Sequence, residues 1–173
     1  MSDLRPVGVS IKIGEEEHNL LFTLNVIDAV QSEYDQTVGK TLSELSDWRK
    51  APERLRFILK ELLNDEETRK GSCKVYTVVE VGSMITAAEM PELTATVIAS
   101  YAGAVPDEEE TQTGQDAELL DIASMLIAAT AKMGYSEEEV FRMTPRKYRV
   151  IFDKFLKMNG VKKESDYAID GMP

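Results

Sequence analysis

Apolar and polar residues alternate at the start of the chain. Val7, Val9, Ile11 and Ile13 are separated by Gly8, Ser10 and Lys12, the period of two of a strand with one buried face. A polar turn over Gly14 and Glu15 to Glu17 follows, then Leu20, Phe22 and Leu24 alternate again, which predicts a β-hairpin. Thr23 or Asn25 can cap a helix that carries Val26, Ile27, Val30 and Tyr34 on one side, with Asp28 in its first turn. This helix is expected across the apolar face of the hairpin, with Gly39 breaking the run and a short helix around Leu42 and Leu45 to Trp48 after it. Pro52 opens a longer helix. Its Leu55, Ile58, Leu59, Leu62 and Leu63 follow the i, i+3, i+4, i+7, i+8 spacing of a core-facing stripe and leave Arg54, Arg56 and Lys60 to solvent. Between Lys74 and Ile85 four valines favour a strand, whereas Thr77 and Glu80 form a T-x-x-E capping box; the box predicts a helix. Pro91 starts another with Leu93, Val97, Ile98 and Tyr101, ended by Gly103 and Pro106.

From Leu119 to Met133 the pattern changes character. On a helical wheel the polar side is confined to Asp121, Ser124 and Lys132, and apolar residues occupy most of the circumference. Such a helix needs cover on more than one side, from the N-terminal domain, another subunit or a partner. Gly134 is placed to end it in a left-handed conformation. Ser136 and Glu139 form a second capping box for a short helix through Arg142, and Thr144 with Pro145 supplies N-cap and N1 of the last one. There Tyr148, Ile151, Phe152, Phe155 and Leu156 make the apolar stripe, while Arg146, Lys147, Lys154 and Lys157 lie opposite with Val150 among them. The pattern as a whole predicts an α+β, mainly helical fold: an N-terminal β-hairpin packed on a helical set, then a C-terminal helical module.

Charge turns this pattern into an organisation. The 173 residues carry a formal net charge of -11, which argues against a surface that binds nucleic acid or anionic lipid throughout. Residues 1–105 hold -6, residues 106–118 another -6 with no base, and residues 119–173 hold +1. The middle piece lacks any large apolar side chain, so it reads as an acidic flexible linker between a domain over 1–105 and a module over 119–164, with a disordered tail over 165–173. Between 142 and 163, eight bases face Asp153 as the one acid. No basic region with a following apolar stretch marks a signal peptide and no apolar run approaches a spanning helix, so the expected location is the cytoplasm.

Candidate chemistry is sparse. One cysteine, Cys73, and one histidine, His18, leave no disulfide, zinc site or Ser-His-Asp triad to assemble. No phosphate loop, dinucleotide fingerprint or H-E-x-x-H occurs. The acidic runs Glu15 to Glu17, Asp65 to Glu67 and Asp107 to Glu110 lack the oxygen spacing of a cation loop and read as solvated charge, and His18 reads as an ordinary surface residue. No enzyme and no cofactor is expected. Two binding functions remain. In one, the helix pair around Met143-Thr144-Pro145 is a helix-turn-helix and the basic last helix meets a duplex, although Asn, Gln and Ser for base readout are missing from its face. In the other, the concentration of aromatics, Met and Arg marks a protein interface. Tyr135, Phe141, Arg142, Met143, Arg146, Lys147 and Val150 are its candidate residues, with Phe141 and Val150 expected to be exposed.

The order of hairpin, Phe22-Thr23-Leu24-Asn25, amphipathic helix and helical set resembles the tail assembly chaperones of long-tailed bacteriophages and prophages. The string from Met133 through Gly134-Tyr135-Ser136, Glu138-Glu139-Val140-Phe141-Arg142 and Met143-Thr144-Pro145 to Tyr148 is similar to their downstream module, with Phe141 where the family often has Trp. The resemblance spans residues 7–160. It implies a non-enzymatic protein that coats the tape measure protein, keeps its helices in solution and recruits major tail tube subunits through the downstream module. A second copy of the chain is a further candidate partner.

Overall fold

The computed structural model describes residues 8–106 and 119–160. The acidic run Asp107 to Glu110 and the rest of the expected linker, the end of the module after 160, and the tail over 165–173 lie outside the described residues. Strand β1 (Val9–Ile13) pairs antiparallel with β2 (Glu16–Leu20), in a register running from Val9 opposite Leu20 to Ile13 opposite Glu16. The turn is therefore tighter than the charge pattern suggested, because Glu16 and Glu17 belong to the strand. Gly14, at φ 63°, takes the first of two loop positions, the placement a type II′ hairpin turn requires.

Helix α1 (Leu24–Tyr34) starts at Thr23, whose Oγ1 accepts from the Val26 amide, so Asp28 lies in the second turn and not the first. The break after α1 comes at Asp35, in the left-handed region at φ 49°, and not at Gly39. Thr37 caps a new helix there, and Gly39 sits inside α2 (Val38–Ser43), which a 3-10 turn (Glu44–Ser46) extends; Trp48 lies beyond it, exposed. The long helix α3 (Ala51–Lys70) has Pro52 in its first turn and Gly71 as a left-handed C-cap. Helix α4 (Val78–Met84) begins at the predicted capping box, with Thr77 and Glu80 bonded reciprocally. Helix α5 (Met90–Ala104) completes the N-terminal part and contains Gly103, which does not end it.

The stripe of α3 is the centre of the core. Leu55, Ile58, Leu59, Leu62 and Leu63 are fully buried with Phe22, Val26 and Val30 of the hairpin exit and α1. Phe22 meets Tyr101 of α5 edge to face at 5.3 Å, and the Ser100 hydroxyl donates to the Leu20 carbonyl at 2.9 Å. Asn64 holds the approach to α4: its amide donates to the Tyr76 carbonyl at 3.0 Å and accepts from the Tyr76 N–H at 2.6 Å. Arg54 is not left to solvent. Its guanidinium lies 3.8 Å from the Tyr34 ring centroid and donates to Glu44 at 3.0 Å. Glu44 also accepts from Lys50 and Gln36 and is held down to about 2 chiefly by Lys50.

Two sequence expectations fail together at the end of α3. Asp65, Glu66 and Glu67 are buried, and so is His18, which is 2% exposed. The helix outruns its apolar stripe and reaches the free edge of β2, where unpaired backbone donors need acceptors. Glu66 accepts the Asn19 amide at 2.8 Å and bonds His18 Nδ1 at 2.8 Å. Asp65 accepts from the Thr23 hydroxyl at 2.7 Å and from Arg69 at 2.8 Å, while Arg69 also donates to the Asn19 carbonyl at 3.1 Å. A run that composition marks as solvated is thus the polar seam between helix and hairpin.

Candidate functional site

Three further helices follow residue 119. Asp121 caps α6 (Ile122–Met133) by accepting from the Ser124 amide at 2.9 Å, and Gly134 ends it at φ 78°. Ser136 and Glu139 cap α7 (Glu137–Phe141) reciprocally, and Thr144 with Pro145 at N1 opens α8 (Pro145–Met158). The helix starts at Ile122, three residues later than the apolar pattern suggested. Gln31 of α1 accounts for the delay, because its side-chain amide accepts the Leu120 N–H at 3.0 Å and donates to the Leu120 carbonyl at 3.1 Å.

These helices meet the N-terminal part at several points. The Leu24 amide donates to the Met143 carbonyl at 2.7 Å, and the Leu24 side chain is buried among Ala129, Val140, Met143 and Tyr148. Arg146 donates to the Val105 carbonyl at 2.9 Å, and Ile122 joins the main core. Within the helices, the Tyr148 hydroxyl donates to the Met125 carbonyl at 3.0 Å and its ring stacks on Phe152 at 5.8 Å. Burial raises the Tyr148 phenol above its ordinary range.

Cover is incomplete on the outer side. Of α6, Ile122 and Ala129 are buried, whereas Ile127 is 65% exposed. The described chain therefore covers one side of a helix expected to need cover on more. On α8 burial stops after Tyr148; Ile151, Phe152, Phe155 and Leu156 are half-buried and Met158 is 85% exposed. Two grooves flank this helix. The larger, of about 780 Å³, lies between α6 and α8 over Met125, Ala128, Tyr148, Phe152 and Leu156, with the Arg149–Asp153 pair at its rim. The smaller, of about 240 Å³, lies on the other flank and is formed by Met133, Tyr135, Val150, Ile151, Phe155 and Met158, with Lys154 as its one charged residue.

The seven candidate interface residues do not form one surface. Tyr135 and Val150 share the smaller groove, where Val150 is half-buried and not exposed as expected. Phe141 is also half-buried, packed against both apolar clusters, because α7 is wedged between α1 and α6. Replacing Phe141 with alanine is expected to cost about 1.5 kcal/mol in urea unfolding, the value of a partly buried aromatic. Arg142 is exposed and paired with Glu138, at a polar cleft shared with Asn25, Asp65 and Thr68. Met143 is buried, Arg146 is committed to Val105, and Lys147 is half-buried at the start of α8. Phe152, Phe155 and Leu156 of the apolar stripe, half-buried along α8, are not among the seven candidates. The signal for them was already present in a helical module of too few residues to cover both α6 and the α8 stripe.

Among the described residues no group of three or more His, Cys, Asp or Glu could hold a metal ion, and no helix is long and apolar enough to cross a membrane. No family model, curated protein or solved structure matches the chain.

Proposed function

We propose that this chain is a tail assembly chaperone of a long-tailed bacteriophage or prophage. In this reading it is a non-enzymatic protein of the host cytoplasm that binds the tape measure protein and recruits major tail tube subunits. One observation carries the reading: α6 and α8 present apolar side chains along two grooves that the described chain leaves open. Contiguous apolar surface of this kind marks a site for another protein's apolar segment, and a helix in a groove is the form such recognition commonly takes. The resemblance around Met133 to Tyr148 supplies the class of partner.

Co-expression with the tape measure protein of the same genome tests this. The expected result is transfer of that protein to the soluble fraction and co-elution with the chaperone. Phe152→Ser is expected to weaken capture about tenfold, the effect of losing one aromatic anchor, with the far-UV spectrum unchanged. Unaltered solubility and separate elution would sink the proposal. The alternative, a nucleic-acid-binding regulator, is weakened by the engagement of Arg146 with Val105 and of Arg149 with Asp153. Salt-dependent duplex binding that disappears on substitution of Arg146 and Lys147 would revive it.

A further inference from the structure

Arginines and lysines around α8 are used differently. Arg142 pairs with Glu138, Arg146 donates to the Val105 carbonyl, and Arg149 pairs with Asp153. Lys147, Lys154 and Lys157 have no carboxylate within ion-pair reach among the described residues. Two of these lysines belong to the flank of α8 that forms the smaller groove. Lys147, Ile151, Lys154 and Met158 follow the i, i+4, i+7, i+11 spacing of one ridge, and all but Lys147 line the groove. Lys154 is exposed and Lys147 half-buried, one turn beyond the end of the groove.

Nearby acids leave this charge uncompensated. Asp153 lies on the opposite flank, in the larger groove, with Arg149. Glu137 and Glu138 line the polar cleft with Asn25 and Asp65, and Glu139 is bonded to Ser136. Helix α8 has five bases and one acid. Residues 161–173 add two bases, Lys162 and Lys163, and three acids, Glu164, Asp166 and Asp170, so the end of the chain stays positive on balance. An apolar groove bordered by unpaired positive charge favours an apolar segment that carries negative charge in register. Lys147 and Lys154 are separated by about 10.5 Å of helical rise, and a helix laid along α8 repeats that distance between its own residues i and i+7.

We propose that the smaller groove receives an amphipathic helix of a partner protein whose apolar row is bordered by carboxylates seven residues apart. The apolar row lies against Val150, Ile151, Phe155 and Met158, and the carboxylates face Lys147 and Lys154. This rests on the reading of the α6 and α8 surface as protein-binding, and it adds the charge of the partner. An anionic bilayer would meet the same lysines, but it cannot enter a groove, and the net charge of -11 repels it.

The test uses the full chain and three fluorescein-labelled peptides of about five helical turns, read by anisotropy. The first has leucines in a helical row bordered by glutamates, the second has lysines in place of the glutamates, and the third scrambles the first so that no apolar row remains. The lysine peptide is expected to bind about tenfold more weakly than the glutamate peptide, since attractive pairs become repulsive ones. Lys147→Glu plus Lys154→Glu should reverse that order, a gain that misfolding cannot produce. Met158→Ser should weaken the glutamate peptide about threefold through lost apolar area. No binding of the glutamate peptide overturns the proposal, and so does equal binding of the scrambled one, which would be plain charge attraction. Competition by vesicles of phosphatidylglycerol and phosphatidylcholine would assign the face to a bilayer, and a dimer that Lys147→Glu plus Lys154→Glu dissociates would assign it to a second copy; either overturns it. Failure to capture the tape measure protein with the peptide order intact would instead sink the chaperone reading alone.

Discussion

Glu66→Ala is expected to destabilise the fold by about 3 kcal/mol, the scale of removing one member of a buried, hydrogen-bonded polar set. Glu66 is 3% exposed and serves three donors: the Asn19 amide and His18 Nδ1, each at 2.8 Å, and Lys70 at 3.0 Å. Alanine would leave the buried imidazole, 2% exposed, without an acceptor and take from the Asn19 amide its partner. For a chain of this size the loss corresponds to a fall in Tm of about 6–12 °C, to be read by thermal unfolding at neutral pH. Acid should act on the same seam. Burial alone would push the Glu66 carboxyl upward, but Asn19, His18 and Lys70 together hold it below its ordinary value of 4.5. A carboxyl depressed in the folded state contributes stability above its unfolded value, and that contribution is lost as pH falls through the folded one. Unfolding midpoints should accordingly decline below about pH 4.5, with Glu44 adding to the trend. Glu66→Gln should flatten that decline; an unchanged acid profile in this variant would assign the pH dependence elsewhere.

Leu24→Ala is expected to cost about 3 kcal/mol and to act on one part of the molecule in particular. Leu24 begins α1, yet its side chain is fully buried with Ala129, Val140, Met143 and Tyr148 of the C-terminal helices. The cavity left by alanine falls at this junction, so the opening of α6, α7 and α8 should become easier while the centre of α3 keeps its packing. Native-state hydrogen exchange reads this directly. Amides of α6 and α8 should lose about two orders of magnitude of protection, the equivalent of that energy, and those of Leu59 and Leu62 much less. Equal losses in α3 and α8 would instead make the described residues one cooperative unit.

Local signals were legible in the sequence. Thr23, the Thr77–Glu80 box, the Ser136–Glu139 box, Thr144 with Pro145, and Gly134 all act where their residue types and spacing place them, because a cap is settled within one turn of chain. The α3 stripe was equally plain. What the sequence hid depends on contacts between distant residues. Asp65 to Glu67 has the composition of a solvated run, and its burial follows from the free edge of β2, more than forty residues earlier. Gln31 looks like any polar residue on a helix surface, and nothing near it indicates that Leu120 will come to it. The candidate site was legible in outline, since the apolar circumference of α6 exceeded the available cover. Which side chains would stay open depended on how α8 crosses α6, and that angle has no local signature.

The bonds that fasten the C-terminal helices share a feature. Leu24 reaches the Met143 carbonyl, Gln31 reaches both backbone groups of Leu120, and Arg146 reaches the Val105 carbonyl. In each case the partner reached is main chain, whose carbonyl every residue type supplies and whose N–H every residue but proline supplies. The side chains at 105 and 120 can be exchanged without losing the fastening, whereas 31 and 146 cannot. Sequence drift is thereby permitted along one margin of the junction and barred along the other, so the outer helices can change the surface they offer while their seat on the hairpin and α1 stays the same.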